Sequence, residues 1–474
     1  MKTYEQFYIN GEWVDPAEGV NSFDVLNPAN EEVIGKISMG SSADVDKAVE
    51  AASKAFNSFS QTSVEERLAI LGKIVEVYQS RYDEIAETIS MEMGAPLSLS
   101  KAAQAATGLG HFAQAIEILQ GFEWEETKGK TLLRKEPIGV VGMITPWNWP
   151  INQIMSKLVF VLASGCTCIL KPSEISPLSA ILIAEIIDEA GTPRGVFNLV
   201  NGFGSIVGDA MSRHPEISMM SFTGSTIGGI SVAKSSADTV KRVSQELGGK
   251  SANIILDDSS FEKSVKQGVI KCMENSGQSC NAPTRMLVPF RRLEESFFIA
   301  KSVCNSLIVG NPQNEDTDVG PLANVKQYKK VKDLIHTGIN DGAKIITGGS
   351  NRPKNIDSGY YIEPTVFAYV TEEMSIFKEE IFGPVLTITH YHDYEHALDI
   401  ANNTDYGLAA YVSGIEKKDL LKLSKRLNAG QVYINYSSGG TEAPFGGLKM
   451  SGNGREKGRW GLNEFLETKA IIGE

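Results

Sequence analysis

From residue 138 onward the chain alternates between two rhythms, and this limits its architecture more than any other feature. Short apolar runs at 140–144, 167–170, 196–200 and 219–222, each bounded by Gly, Pro or Ser, are separated by helical patterns such as 178–189. Such runs read as parallel strands joined by crossover helices, which makes a doubly wound sheet. A second series starts near 253–256. It continues through helix-like 325–340, strand-like 364–370 and 385–390, helix-like 395–402, then 420–427 and 432–435. At 474 residues the chain exceeds one ordinary domain, and two doubly wound α/β domains are expected.

The part before residue 138 reads as helical. Val45, Ala48, Val49, Ala52, Ala55, Phe56 and Phe59 form a stripe at helical spacing. Ser63-Val64-Glu65-Glu66 has the form of a capping box, and Gly94 and Pro96 are the expected stop. The charged segment 122–135 is β-prone at 131–133, and the tail 464–472 is strand-like. There is no internal repeat and no low-complexity tract.

Charge and cysteine content narrow the setting. Lys+Arg 45 against Asp+Glu 58 leaves −13, which argues against a nucleic-acid or anionic-membrane partner. Five cysteines, Cys166, Cys168, Cys272, Cys280 and Cys304, are an odd number in a long chain and suggest a reducing, cytoplasmic setting rather than a disulfide framework. The N-terminal residues lack the apolar core of a signal peptide. The uncharged stretch 138–156 holds Pro146, Pro150, Asn148, Asn152 and Gln153, and the next, 158–170, has only 13 residues. A bilayer span needs about 20, so both read as buried strand and helix.

Ligands of doubly wound sheets bind beyond the carboxyl ends of the strands. The residues to inspect are therefore Thr145-Pro146-Trp147-Asn148, Lys171-Pro172-Ser173-Glu174 and Thr223-Gly224-Ser225-Thr226. Asn148, between two prolines, could donate its amide to a developing oxyanion or could cap the next helix. Cys280, in Ser276-Gly277-Gln278-Ser279-Cys280-Asn281, sits among small polar residues, whereas Cys166 and Cys168 read as inert and buried. Glu246 precedes Leu247-Gly248-Gly249-Lys250; taken alone it also reads as a surface carboxylate beside a turn.

Phosphate signals are mixed. Gly202-Phe203-Gly204 begins a dinucleotide fingerprint, but its next glycine, Gly208, comes one position late. Thr223-Gly224-Ser225-Thr226 follows a strand and opens a helix, where backbone N–H groups meet anions. No P-loop motif is present. Lys171 and Glu174 could meet a ribose or form a solvated charge pair. His390, His392 and His396 show no ligand spacing with carboxylates or cysteines, so no metal is expected.

Seven motifs in order resemble the aldehyde dehydrogenase superfamily. They are Pro146-Trp147-Asn148-Trp149-Pro150, Lys171-Pro172-Ser173-Glu174, Phe222-Thr223-Gly224-Ser225-Thr226, Glu246-Leu247-Gly248-Gly249-Lys250, Gly277-Gln278-Ser279-Cys280, Glu380-Ile381-Phe382-Gly383-Pro384 and Pro444-Phe445-Gly446-Gly447. The resemblance implies that Cys280 attacks an aldehyde to form a thiohemiacetal, that Asn148 and the Cys280 N–H hold its oxyanion, and that Glu246 activates the water that hydrolyses the thioester. It implies NAD as cofactor, with NADP left open: Lys171 and Glu174 at the adenosine ribose, Gly204 near the adenine, Gly224 and Ser225 at the pyrophosphate, Trp147 near the phosphates, Glu380 and Phe382 at the nicotinamide ribose. Trp149 and Gln153 would line a substrate tunnel. Trp149 stands where phenylalanine is more common, and Leu448 where an aromatic often follows Phe-Gly-Gly. The wording around Cys280 is similar to bacterial members, including some that oxidise semialdehydes, yet no basic residue stands out as an anchor for a carboxylate.

The resemblance also implies a domain plan: 1–118 with 138–248 for the cofactor, 249–445 for catalysis, and 119–137 with 446–474 as a β-strand oligomerisation arm of a homodimer or homotetramer. Three other readings compete. A CoA-acylating semialdehyde dehydrogenase usually lacks the carboxylate at position 246. A catalytically silent structural relative would not need Cys280, Glu246 and Asn148 together. A cysteine hydrolase would need a histidine partner, and within 60 residues of Cys280 only His336 is available, in a helical stretch.

Overall fold

The computed structural model describes residues 2–473. Two seven-stranded sheets dominate. The first has the order Arg242–Glu246, Met219–Thr223, Val140–Ile144, Thr167–Lys171, Phe197–Leu199, Phe7–Ile9, Glu12–Val14. Its first five strands are parallel, as expected from the alternation. The chain winds outward from Val140–Ile144, then returns to place Met219–Thr223 on the other side of that strand. A crevice opens at such a reversal, and here the segments after residues 144 and 223 flank it.

The second sheet has the order Lys344–Thr347, Thr365–Ala368, Val385–Tyr391, Arg285–Pro289, Ala252–Ile255, Ala409–Ser413, Gln431–Ile434, with only the first pair antiparallel. Residues 247–251 alone separate the last strand of the first sheet from Ala252–Ile255. This short connection brings the carboxyl end at Glu246 against the second sheet.

The first 38 residues differ from the helical reading, since they form five short strands before the first helix, Ser42–Phe59. The cause is local. Asn10 (φ 55°) and Gly11 (φ 71°) make a two-residue turn between Phe7–Ile9 and Glu12–Val14. An Asn-Gly pair suits a hairpin because both residues tolerate left-handed backbone. The capping box forms as read: Ser63 Oγ accepts from the Glu66 N–H at 3.2 Å, and Glu66 Oε2 accepts from the Ser63 N–H at 2.7 Å. The helix it opens, Val64–Ser80, breaks at Arg81, and a new one, Tyr82–Met93, ends at left-handed Gly94.

Helix Pro150–Ser164 is buried on nearly every side, and Cys166 and Cys168 are fully buried. Among the described residues no helix is long and apolar enough to cross a membrane. The two segments expected to be strands pair with each other. Leu466–Ile472 lies antiparallel to Thr131–Pro137, and Glu125–Lys128 completes a three-stranded sheet.

Candidate active site

Strand Val140–Ile144 ends in Pro146-Trp147-Asn148-Trp149-Pro150, and Pro150 occupies the first turn of the next helix, where its missing N–H costs nothing. The residue capping that helix is Trp149, with no side-chain cap bond, so Asn148 does not cap it. Instead the Asn148 amide donates to the Gln278 carbonyl at 3.0 Å, and its own carbonyl accepts from Asn275 Nδ2 at 2.9 Å. Two bonds thus fasten the residue to the segment that carries Cys280.

That segment is a tight turn. Asn275, Ser276 and Gly277 are all left-handed, at φ 54°, 56° and 70°. The conformation costs ordinary residues about 1–2 kcal/mol each, so neighbours must hold it. Ser276 Oγ donates to the Gly320 carbonyl at 2.8 Å, Gln278 Oε1 accepts from the Ala323 N–H at 2.9 Å, and Gln278 Nε2 donates to the Asn275 carbonyl at 3.1 Å. Asn275 was not singled out from the sequence, and Gln278 only as part of a motif. The available signal was the left-handed tolerance of asparagine before Ser-Gly.

The turn presents Cys280 where two cavities meet. It is the only free cysteine of the five that is not fully inside the protein. A cleft of about 160 Å³ is walled by Trp147, Thr223, Ser225, Glu246, Glu380 and Phe382 as well as Cys280. On the other side a larger cavity of about 520 Å³ is walled by Trp149, Tyr433, Phe445, Lys457 and again Cys280. Asn148 and Gly224 line the cleft, and Gln153 lines both spaces. The Trp149 indole N–H donates to Ser279 Oγ at 2.8 Å, which fixes the ring beside the cysteine.

Glu246 is 2% exposed, so the surface-carboxylate alternative fails. Neither of its carboxylate oxygens has a hydrogen-bond partner among the described residues. Burial, followed by the nearby Glu456 charge, pushes its pKa well above the usual carboxylate range. Glu456 itself pairs with buried Lys157. Burial also raises the Cys280 thiol, and Glu380 and Glu246 add to the effect.

The cleft has the features of a dinucleotide site. Ser225 caps helix Thr226–Ser236, its Oγ accepting from the Gly228 N–H at 3.2 Å. Thr223 Oγ1, at the adjoining strand end, is buried and has no hydrogen-bond partner among the described residues. Trp147 and Phe382 meet edge to face at 5.5 Å. Glu380 Oε1 accepts from the Gly249 N–H at 2.9 Å. Lys171 and Glu174 lie outside this wall, after the neighbouring strand Thr167–Lys171. There Lys171 Nζ, 3% exposed and so not a solvated charge, donates to the Pro172 and Gly202 carbonyls and stands 3.7 Å from Glu174. Gly204, also outside the wall, opens the helical turn Gly204–Gly208, and nothing lies within 4 Å of where its Cβ would be. Among the described residues no group of three His, Cys, Asp or Glu is placed to hold a metal ion. His392 stacks on His396 and meets His390 edge to face, while exposed Phe290 packs edge-on to His390 and tilted to His392.

Residues 13–471 match the aldehyde dehydrogenase family. The chain is 51% identical over its full length to a 3-succinoylsemialdehyde-pyridine dehydrogenase of a Pseudomonas species, covering 99% of that protein. Aldehyde dehydrogenase C of Pseudomonas syringae, solved as a mutant with NAD+ and octanal, superposes with a TM-score of 0.98 at 48% identity, over 99% of this chain and 96% of that one. A betaine aldehyde dehydrogenase of Staphylococcus aureus with NAD+ gives 0.96 at 34% identity, over 99% and 96%. The chain belongs to the aldehyde dehydrogenase family, and it is an NAD(P)-dependent enzyme that oxidises an aldehyde to the acid.

Proposed function

We propose that Cys280 is the nucleophile of this oxidation, Asn148 its oxyanion donor and Glu246 its hydrolytic base. One observation carries the reading: Cys280 stands where the dinucleotide cleft meets the larger cavity, with an unpartnered carboxyl on the same wall. A free aldehyde has no leaving group, so the sulfur first adds to the carbonyl carbon and makes a tetrahedral thiohemiacetal. The developing oxyanion lies between the second N–H of the Asn148 amide and the Cys280 backbone N–H. When bound, NAD supplies the acceptor for the hydride that this carbon gives up. The carbon, now a thioester, is then attacked by water whose proton Glu246 takes; the carboxylic acid leaves and the Cys280 thiol is restored. Retention of Glu246 favours water over CoA at that step, and the assembled trio disfavours a silent relative.

Ser225, Gly224 and the Thr223 hydroxyl would meet the pyrophosphate, Trp147 the phosphates, and Glu380 and Phe382 the nicotinamide ribose. Lys171 and Glu174 would meet the adenosine ribose, and Gly204 the adenine. A carboxylate at 174 repels a 2′-phosphate and so favours NAD over NADP. Trp149 and Gln153 belong to the substrate side. The relative named for a succinoylsemialdehyde-pyridine and the neighbour solved with octanal support an extended aldehyde. The cofactor domain is assigned to 1–118 and 138–248, the catalytic domain to 249–445, and the arm to 119–137 and 446–474. The enzyme is assigned to the cytoplasm, as a homodimer or homotetramer.

The test is direct. Cys280→Ala should abolish NADH formation on adding an aldehyde while NAD binding by calorimetry persists. Glu246→Gln should accumulate the acyl-enzyme, visible by intact mass. Turnover in the Cys280→Ala protein refutes the nucleophile; normal turnover without accumulation in Glu246→Gln refutes the base.

A further inference from the structure

The larger cavity contains a cation that the chemistry above does not use. Lys457 lies on its wall with Cys280, Trp149, Tyr433 and Phe445. Its ammonium has no hydrogen bond and no ion pair among the described residues; its one close contact is the face of the Phe445 ring, 5.2 Å from the centroid. The other cations nearby are matched: Lys271 on the same wall pairs with Glu274 at 2.6 Å, and Lys157 pairs with Glu456. Lys457 also holds a backbone conformation, φ 68° and ψ 157°, that is nearly confined to glycine. A residue with a side chain is kept there despite the strain.

Several other polar groups of the wall are already engaged with protein partners. Tyr411 donates its hydroxyl to the Asn281 carbonyl at 2.9 Å, Tyr433 to Gln431 Oε1 at 2.6 Å, and Tyr436 to the Ser264 carbonyl at 2.8 Å. Thr441 Oγ1 donates to the Gly110 carbonyl at 3.2 Å, and Gln431 Nε2 to the Pro444 carbonyl at 2.9 Å. The rings therefore offer apolar faces, and the Lys457 ammonium is left as a donor without an acceptor. A half-dry ammonium in that state is unfavourable until an acceptor arrives. The charges of Glu456, Cys280 and Glu246 favour its protonated form, yet burial outweighs them and lowers its pKa.

We infer that Lys457 anchors an oxygen acceptor, a carboxylate foremost, at the far end of the aldehyde, so that the preferred substrates are semialdehydes whose tail is anionic. The inference rests on Cys280 being the nucleophile, because that fixes which cavity receives the substrate. It also supplies the basic anchor that was not apparent in the sequence.

The experiment compares glutaric semialdehyde with uncharged hexanal in the native enzyme, Lys457→Met and Lys457→Arg, following NADH. The native enzyme should favour the anionic aldehyde. In Lys457→Met the kcat/KM ratio of glutaric semialdehyde to hexanal should fall by about tenfold or more, chiefly through KM, as expected when one partner of a desolvated charge pair is removed. Lys457→Arg should restore most of the ratio, which a purely structural role would not produce. No anionic preference in the native enzyme overturns the anchor, and so does a ratio unchanged in Lys457→Met. Hexanal oxidation that survives Cys280→Ala would instead overturn the nucleophile on which the inference rests.

Discussion

Asn148 illustrates how one side chain can hold a loop and serve chemistry together. One N–H of its amide fastens the Gln278 carbonyl, which leaves the other for an oxyanion on the adjacent sulfur adduct. Asn148→Ala should therefore lower kcat by roughly 10²–10³, the usual loss when a single oxyanion donor is removed. A loss below about tenfold would leave it only the loop-fastening role. The pH dependence follows from the directions of two pKa shifts. Cys280 reacts as thiolate and Glu246 as carboxylate, and burial raises both pKa values, so the share of each reactive form grows as pH rises. The rate of aldehyde oxidation should climb from neutral into alkaline pH. A profile that falls over that range would contradict the burial seen here.

Among the elements, the turn at Asn275–Gly277 decides where the sulfur sits. A Cβ on Gly277 would lie 2.0 Å from the Gly383 carbonyl oxygen, and its φ is 70°. Gly277→Ala combines a backbone clash with left-handed strain, and should lower unfolding free energy by about 3 kcal/mol. Urea unfolding checks this; an unchanged midpoint would mean that the turn relaxes freely. Such turns were only partly legible in the sequence. Four strands of the first sheet, Val140–Ile144, Thr167–Lys171, Phe197–Leu199 and Met219–Thr223, could be read because they lie in short apolar runs between Gly, Pro and Ser. Arg285–Pro289 could not, because it opens with an arginine. The fold buries that side chain by giving its guanidinium the carbonyls of Lys250, Ile400 and Ala401. Ala409–Ser413 opens with two alanines, weak strand formers that only its pairing on both sides, with Ala252–Ile255 and Gln431–Ile434, explains. Cys280, Glu246 and Asn148 were legible as motifs. Lys457 was not, because its role appears only when the segment before the last helix folds back to close the cavity.

At the scale of the molecule, the tail returns across the whole chain to the first sheet. Arg242, on that sheet's edge strand, donates to the Glu464 carbonyl at 2.6 Å and to the Leu466 carbonyl at 3.1 Å, so the tail leaves from a fixed point. Leu466–Ile472 then covers one edge of Thr131–Pro137, and its own outer edge is unpaired among the described residues. Ile471 and Ile472 are 42% and 82% exposed there. An open strand edge with apolar side chains invites pairing or aggregation, so a regular partner is the physical expectation, and a second copy supplies one. Ending the chain after Thr468 removes the pairing of residues 469–472 with 131–134 but leaves Phe465 and Leu466 in the core. Light scattering should find the full chain at a multiple of 51.4 kDa and the shortened one at a lower multiple, with NAD binding retained because the cleft lies elsewhere. A full-length chain at 51.4 kDa, with no association at higher concentration, would show that the open edge is tolerated by the isolated subunit and that the arm has another purpose.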